Sequence, residues 1–359
     1  SYKRGIFMAF YDGTKLLSLK DINGNTPEIF ICTSNRSAGK STYFNRMVVN
    51  RFLKRGEKFG VLYRFNYELD EVSKKFFSDI QRLFFNDYEM LDKSQSRGMY
   101  HELFLKRKNS DEEPRSCGYA LSLNNSDQIK KMSHLFSDIS SIIFDEFQSE
   151  TSHYCPNEVK KFQSVHASIA RGNGKQSRYV PVYMISNPVS IINPYFSALG
   201  ISSRLKSDTH FMRGNGFVLE NGFNESASNA LSESTFNRAF DNSYNDYIIN
   251  GSYLMDSSAF IEKMSGFGSY LFTLKCEGKY YSVVEYAKEG IIYVSDSYDE
   301  TFKTVIAVDV NDHDVNYVLL SHYDTYIQKI RFFFEHGCFR FKNQNCKSAL
   351  MKLLNYNIY

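Results

Sequence analysis

The chain has 359 residues, 42% of them apolar, enough to build more than one hydrophobic core. Its 43 Lys and Arg against 40 Asp and Glu leave a formal charge of +3, so contact with a polyanion has to come from local patches and not from a global field. Nowhere do the ~18 consecutive apolar residues of a membrane span occur, and the cysteines show neither CxxC pairs nor His partners at zinc spacing. Reduced thiols are therefore expected, and a disulfide scaffold, a zinc site and a membrane-spanning helix are excluded.

In chain order, residues 1–27 carry no strong periodicity and end in the turn cluster Asn23-Gly24-Asn25-Thr26-Pro27, so a docking arm is expected ahead of the first core strand. The apolar stretch Gly5–Tyr11 is too short for a cleaved export signal. Ile29-Phe30-Ile31-Cys32 reads as a buried strand. Tyr43–Arg55, with Phe44, Met47, Val48 and Phe52 at helical spacing, reads as a helix. Between them lies SNRSAGKS, Ser34–Ser41. Strand, tight loop and helix in this order aim successive backbone N–H groups and a positive helix end at one polyphosphate. In that pattern Ser34, Asn35, Arg36, Ser37, Ala38, Gly39, Lys40, Ser41 and Thr42 surround the phosphates of ATP, Lys40 neutralises them, and the Ser41 hydroxyl ligates Mg²⁺. Ser34 stands where the usual pattern has glycine, and Ser37 and Ala38 tolerate positive φ less well than glycine does. An ordinary strand-to-helix turn is the alternative.

Gly56 is placed to cap that helix, and Lys58–Arg64 reads as the next strand. A helix follows from about Glu68, with Leu69, Val72, Phe76, Ile80 and Leu83 on one face. Tyr100–Lys108 and Cys117–Leu123 form an expected hairpin around SDEEPR. In SSIIFDEFQ, the run Ile142-Ile143-Phe144 has the continuous apolarity of a parallel strand buried on both faces, and it ends in two acids. The carboxyl ends of such strands face the ligand crevice, which places Asp145 for the Mg²⁺ shell and Glu146 for the attacking water. A pair of surface acids at a strand end is the ordinary alternative.

Asn157 and Glu158 open a helix reaching about Arg171, and Arg178–Ser186 reads as a strand ending in Ser186-Asn187-Pro188. From about Asp208 to Gly251 the chain turns rich in Asn, Ser and Gly, which fits a lid or linker, or a decorated surface insertion. Ser269–Lys275, Lys279–Tyr286 and Gly290–Ser295 read as consecutive strands, and Ser321–His336 and Gln344–Asn355 as closing helices. The expected division is an α/β ATPase domain at 1–207, a linker or lid at 208–252, and a small α/β domain at 253–359.

Several short motifs recur in a characteristic order: the phosphate loop with its internal Arg36, IIFDEF, PNEV at Pro156–Val159 followed by Arg171, SNP followed by NPYF at Asn193–Phe196, FIEK at Phe260–Lys263, and GCFRFKNQ at Gly337–Gln344. Together they resemble the large-terminase-type genome-packaging ATPases of tailed phages, and most closely the compact packaging motors of the phi-twenty-nine type. The similarity covers nearly the whole chain. It implies a P-loop NTPase of the additional-strand class with a RecA-like core sheet, followed by an RNase H-like domain. It also implies a homo-oligomeric ring, expected as a pentamer, that docks on the portal of a preformed capsid, or on a component associated with it, in the host cytoplasm and drives double-stranded DNA inward.

By position in that pattern, Lys40 and Ser41 hold phosphate and Mg²⁺, Asp145 completes the metal shell, Glu146 polarises water, and Ser186 and Asn187 form a coupling motif that senses the γ-phosphate. Arg171 matches the arginine finger given to a neighbouring subunit. Lys175 and Arg178 are its rivals, and Lys130 and Lys131 are further cations available in trans. Arg36 has three open roles: a phosphate contact, a contact to a neighbour, or a salt bridge to Glu146. Nuclease chemistry needs carboxylates converging on two metals. Glu285, Asp296, Asp309 and Asp324 are available, but Tyr270–Lys275 carries no acid, so a degenerate domain without cleavage is expected. Lys329, Arg331, Arg340, Lys342, Lys347 and Lys352 form a basic tail suited to phosphate contacts, or a solvated face. A P-loop helicase or nucleotide kinase, and a ring scaffold that only binds nucleotide, are the rival functions.

Overall fold

Runs that are apolar at every position bury both faces only in the interior of a parallel sheet, and the strands here take that place. The protein is described by a computed structural model. It covers residues 11–222, apart from 36, 151–152, 173, 175, 190–192, 202–203 and 206–208, and residues 261–356, apart from 262, 308–309, 315–317, 320–323 and 336–337. Between these ranges only 232, 234, 238 and 239 are described. Two compact units emerge: Ser1–Val189 with Leu205–Ser252, and Ser190–Arg204 with Tyr253–Tyr359.

The first unit contains α1 (Thr14–Ser18), β1 (Ile29–Thr33), α2 (Lys40–Arg55), β2 (Lys58–Tyr63), α3 (Val72–Phe84), β3 (Tyr88–Gln95), β4 (Tyr100–Arg107) and β5 (Arg115–Ser122). These are followed by α4 (Ser126–Lys131), β6 (Ile139–Asp145), α5 (Glu158–Ala170), β7 (Val182–Ser186), β8 (Phe211–Arg213) and β9 (Phe217–Asn221). Its sheet runs β3-β4-β5-β2-β6-β7-β1-β9-β8. The strands from β5 to β9 in that order are parallel, and antiparallel pairs close both edges. The decisive feature is that β7 lies between β1 and β6.

Helix α2 buries Phe44, Val48, Val49 and Phe52 against the sheet, and α3 adds Val72, Phe76, Phe77 and Ile80 to the same core. Gly56 ends α2 in the left-handed conformation, φ 69°, with its N–H on the Phe52 carbonyl. The helix expected from Glu68 instead starts at Val72 after a 3₁₀ turn at Asn66–Leu69, and Leu83 is left 51% exposed. Residues 11–27, read as a docking arm, are built into this unit: the Asp21 carboxylate accepts from the N–H groups of Asn23, Asn25 and Gly216. The start of the Asn-rich stretch likewise supplies β8 and β9 to the sheet, and the remainder of the expected lid lies almost wholly outside the described residues.

The second unit contains α6 (Pro194–Ala198), β10 (Ser269–Cys276), β11 (Lys279–Tyr286), β12 (Ile291–Ser295), β13 (Val305–Ala307), β14 (Val318–Leu319), α7 (Asp324–Glu335), β15 (Phe339–Phe341) and α8 (Gln344–Tyr356). Strands β10 to β12 form an antiparallel meander, with β13 and β14 parallel to β10 on one side and β15 parallel to β12 on the other. This order is compatible with the RNase H-like expectation. Its core joins Phe272, Val283, Val294 and Phe341 to Ile330 of α7 and Leu350 and Leu353 of α8.

Gly118 faces Phe59 across the β2–β5 pair, and a Cβ there would lie 2.1 Å from the Phe59 carbonyl oxygen. Gly118→Ala is therefore expected to destabilise the protein by about 2 kcal/mol. The measurement is the midpoint of urea unfolding, and an unchanged midpoint would contradict the packing described.

Candidate nucleotide-binding site

The phosphate loop spans the gap between β1 and α2 and solves its geometry with unusual residues. Gly39 takes φ 89° at the helix entrance, while Ser37 adopts φ 62°, a left-handed conformation that costs a residue bearing Cβ about 1 kcal/mol or more. Lys40 is buried. Its ammonium donates to the Ser34 carbonyl at 2.9 Å, the Asn35 carbonyl at 3.1 Å and the Asn187 side-chain oxygen at 3.3 Å. Ser41 is hydrogen-bonded to the Asp145 carboxylate, which also accepts the Glu146 N–H at 2.9 Å. Burial pushes the Asp145 carboxyl above its usual range, opposed by the Ser41 hydrogen bond and the Lys40 charge.

Strand order explains why these groups meet. With β7 inserted between β1 and β6, its last residue Ser186 and the following Asn187 emerge between the loop and Asp145. Ser186 is 3% exposed, and its hydroxyl has no hydrogen-bond partner among the described residues. Glu146 follows Asp145 as an exposed residue with φ 55°. The structure thus brings Ser34, Asn35, Lys40, Ser41, Asp145 and Asn187 together. Arg36 lies outside the described residues, and its three expected roles are untouched.

Tyr11 and Glu220 adjoin this group and were not singled out by sequence. The Tyr11 N–H donates to the Ala38 carbonyl at 2.9 Å, and its hydroxyl donates to Glu220 at 2.6 Å. Burial raises both groups. Tyr11 was read as part of an arm because no periodicity ties it to the loop. Glu220 is the penultimate residue of β9, an acid near the end of a core strand much as Asp145 ends β6, and that is the signal that would have found it.

Arg171 is exposed immediately after α5, and Lys130 and Lys131 are exposed at the end of α4. Arg178 is committed elsewhere: its guanidinium donates to the Ile169 carbonyl at 2.8 Å and the Ile139 carbonyl at 3.2 Å, capping the end of α5. This weighs against Arg178 as the finger, while Lys175 lies outside the described residues.

In the second unit the expected phosphate-contacting tail is largely engaged. Lys329 pairs with Glu285 at 2.7 Å, Lys342 pairs with Asp296, Lys352 pairs with Glu277, and the Arg340 guanidinium donates to the Phe339 carbonyl at 2.7 Å. Lys347 requires a correction. It is 1% exposed, because α8 turns the face holding Cys346, Leu350 and Leu353 inward, and a buried lysine does not reach a DNA backbone. The side chain of Arg331 is outside the described set. Glu285 and Asp296 sit at opposite ends of the β11–β12 ladder, since Glu285 faces Ile292 whereas Asp296 follows Ser295, which faces Ser282. Asp309 and the Asp324 side chain are not described. Among the described residues no helix is long and apolar enough to cross a membrane.

A parallel core in which an extra strand separates the phosphate-loop strand from the acid-bearing strand, with lysine, serine and aspartate converging at their ends, defines a P-loop NTPase fold of the additional-strand class. Known proteins agree. The chain belongs to the Podovirus DNA encapsidation protein (Gp16) family, which it matches over residues 8–357. It is 26% identical over 349 residues to the DNA packaging protein of Bacillus phage phi29, covering 96% of each chain. To the DNA packaging protein of Bacillus phage B103 it is 27% identical over 335 residues, 90% of this chain and 94% of that one. A subunit of the bacteriophage phi-29 genome packaging motor assembly shares the fold, with a TM-score of 0.58 and 24% identity over 97% of this chain and 99% of that one.

Lys40 is the buried cation at the start of α2 beside the loop. Lys40→Ala is expected to weaken binding of a fluorescent ATP analogue at least about tenfold in equilibrium titration, which corresponds to about 1.4 kcal/mol. Parental affinity in the folded variant would place the triphosphate elsewhere.

Proposed function

We propose that this chain hydrolyses ATP to drive double-stranded DNA into a preformed capsid, acting as a homo-oligomeric ring docked at the portal or an associated component. The observation that carries the reading is the convergence of Lys40, the Ser41–Asp145 hydrogen bond and Asn187 at the ends of three adjacent strands. Membership of a DNA encapsidation family supports DNA as the cargo.

The oxygen set of Ser41 and Asp145 suits Mg²⁺, a hard cation that prefers hydroxyl, carboxylate and phosphate oxygens. When bound, that ion neutralises charge on the phosphates. The chain's own residues supply the rest. Backbone N–H groups of residues 37–42, running into the start of α2, orient the triphosphate, and Lys40 exchanges its carbonyl partners for phosphate oxygens. Glu146 orients and polarises the attacking water. Ser186 and Asn187 read whether the γ-phosphate is present, the buried Ser186 hydroxyl offering a donor and Asn187 already touching Lys40. Arg171 enters the neighbouring subunit's site, where a guanidinium is worth about 10³ to 10⁵ in rate.

The second unit acts without cleaving DNA. Supporting this, Glu285 and Asp296 lie at opposite ends of their hairpin and each is paired with a lysine. A ring scaffold that binds nucleotide without turnover is the reading to exclude.

Double-stranded DNA is expected to stimulate hydrolysis, and Glu146→Gln to reduce turnover to a trace residual rate while keeping tight ATP binding. In mixed rings, Arg171→Ala subunits should regain activity when combined with Glu146→Gln subunits, because each supplies what the other lacks. Steady-state phosphate release measures this. Absence of rescue in rings verified as mixed would remove the trans assignment, and binding without any turnover would leave the scaffold.

A further inference from the structure

The first unit buries an ion pair that the site described above does not use. Arg64, the residue after β2, is 7% exposed, and its Nε donates to both carboxylate oxygens of Glu158, at 3.0 and 2.9 Å. Glu158 is itself buried and accepts the Cys155 N–H at 2.7 Å. The rest of the guanidinium faces the segment that carries the proposed water-polarising acid. Nη2 donates to the Phe147 carbonyl at 2.8 Å, and Nη1 and Nη2 make longer contacts of 3.4 and 3.5 Å with the Glu146 carbonyl. The plane is held over the Tyr154 ring, 4.9 Å from its centroid.

A buried ion pair is a weak source of stability, because desolvation offsets its attraction and apolar residues of similar volume often replace it at no loss. Its placement is therefore the informative feature. Glu146 has φ 55°, a conformation sparsely populated by residues with Cβ, which persists only where surrounding contacts over-determine it. Those contacts come from three strands: Asp145 of β6 holds the Glu146 N–H, the carbonyl of Ile185 in β7 accepts the Phe147 N–H at 3.3 Å, and Arg64 after β2 takes both carbonyls. Only a guanidinium presents enough donors in a fixed fork to serve one carboxylate and two carbonyls together.

We propose that Arg64, oriented by Glu158, is a positioning residue for Glu146, fixing its backbone so that the carboxylate addresses the attacking water. This rests on the reading of Glu146 as the catalytic acid given above.

The test uses the full chain under ring-forming conditions, with Arg64→Lys, the apolar pair Arg64→Met/Glu158→Leu, Glu146→Gln, and Arg64→Lys combined with Glu146→Gln. Both clamp variants are expected to lower kcat about 10- to 100-fold, the effect of misplacing a catalytic group by about an ångström. ATP-analogue affinity should stay within about threefold, and adding Arg64→Lys to Glu146→Gln should not lower the residual rate further, because both changes disable one group. The proposal is overturned if either folded clamp variant retains kcat within about twofold, or if the two changes multiply. It is equally overturned if both clamp variants fail to fold by circular dichroism, which would assign the pair to folding alone. Glu146→Gln separates the two levels: parental turnover in it overturns the reading of Glu146 together with the clamp, whereas inactivity beside an unaffected Arg64→Lys overturns the clamp only.

Discussion

A protonated amine inside a protein needs acceptors around it, and much of the first unit is arranged to surround Lys40 with them, three of which are described above. Two are carbonyls of its own loop, and the third is the Asn187 side chain. The third requires a strand to end between the loop and the acid-bearing strand, which the insertion of β7 between β1 and β6 achieves. Phosphate oxygens are stronger acceptors of a charge-assisted bond than amide oxygens, so under the proposed function an incoming triphosphate would compete with these partners for the ammonium. The Lys40–Asn187 hydrogen bond joins the loop to the end of a second strand.

Much of this was legible in the sequence because buried parallel strands and phosphate loops leave strong local signals. The strands at Ile29–Cys32 and Ile142–Phe144 and the glycine cap at Gly56 follow from residue type and order. The misses have physical causes. Strand β3 carries Glu89, Asp92 and Lys93 at an edge of the sheet, where charge protects against further pairing and erases the alternation that marks a strand. β8 and β9 are short and border an Asn- and Gly-rich stretch that dominated their composition. Arg64 was absorbed into its strand as a terminal polar residue, although a charge closing a buried strand is the same signal that exposed Asp145.

The second unit teaches a different lesson about cations. Counted along the sequence, its lysines and arginines form a basic tail. In the fold, Lys329 and Lys342 each neutralise a carboxylate, and Lys347 is buried. Formal charge therefore overstates the field that this unit presents to a polyanion. The acids tell the matching story, since Glu285 and Asp296 engage these lysines at separate ends of one hairpin.

Helix α5 begins at Glu158, in the grip of Arg64, and stops at Ala170, one residue before Arg171. Its thirteen residues make a rod about 20 Å long. Arg178 pins the far end by bonding the Ile169 carbonyl. Stiff and tethered at both extremities, the rod sets a fixed spacing between the Arg64–Glu158 pair beside Glu146 and the tip that carries the exposed Arg171.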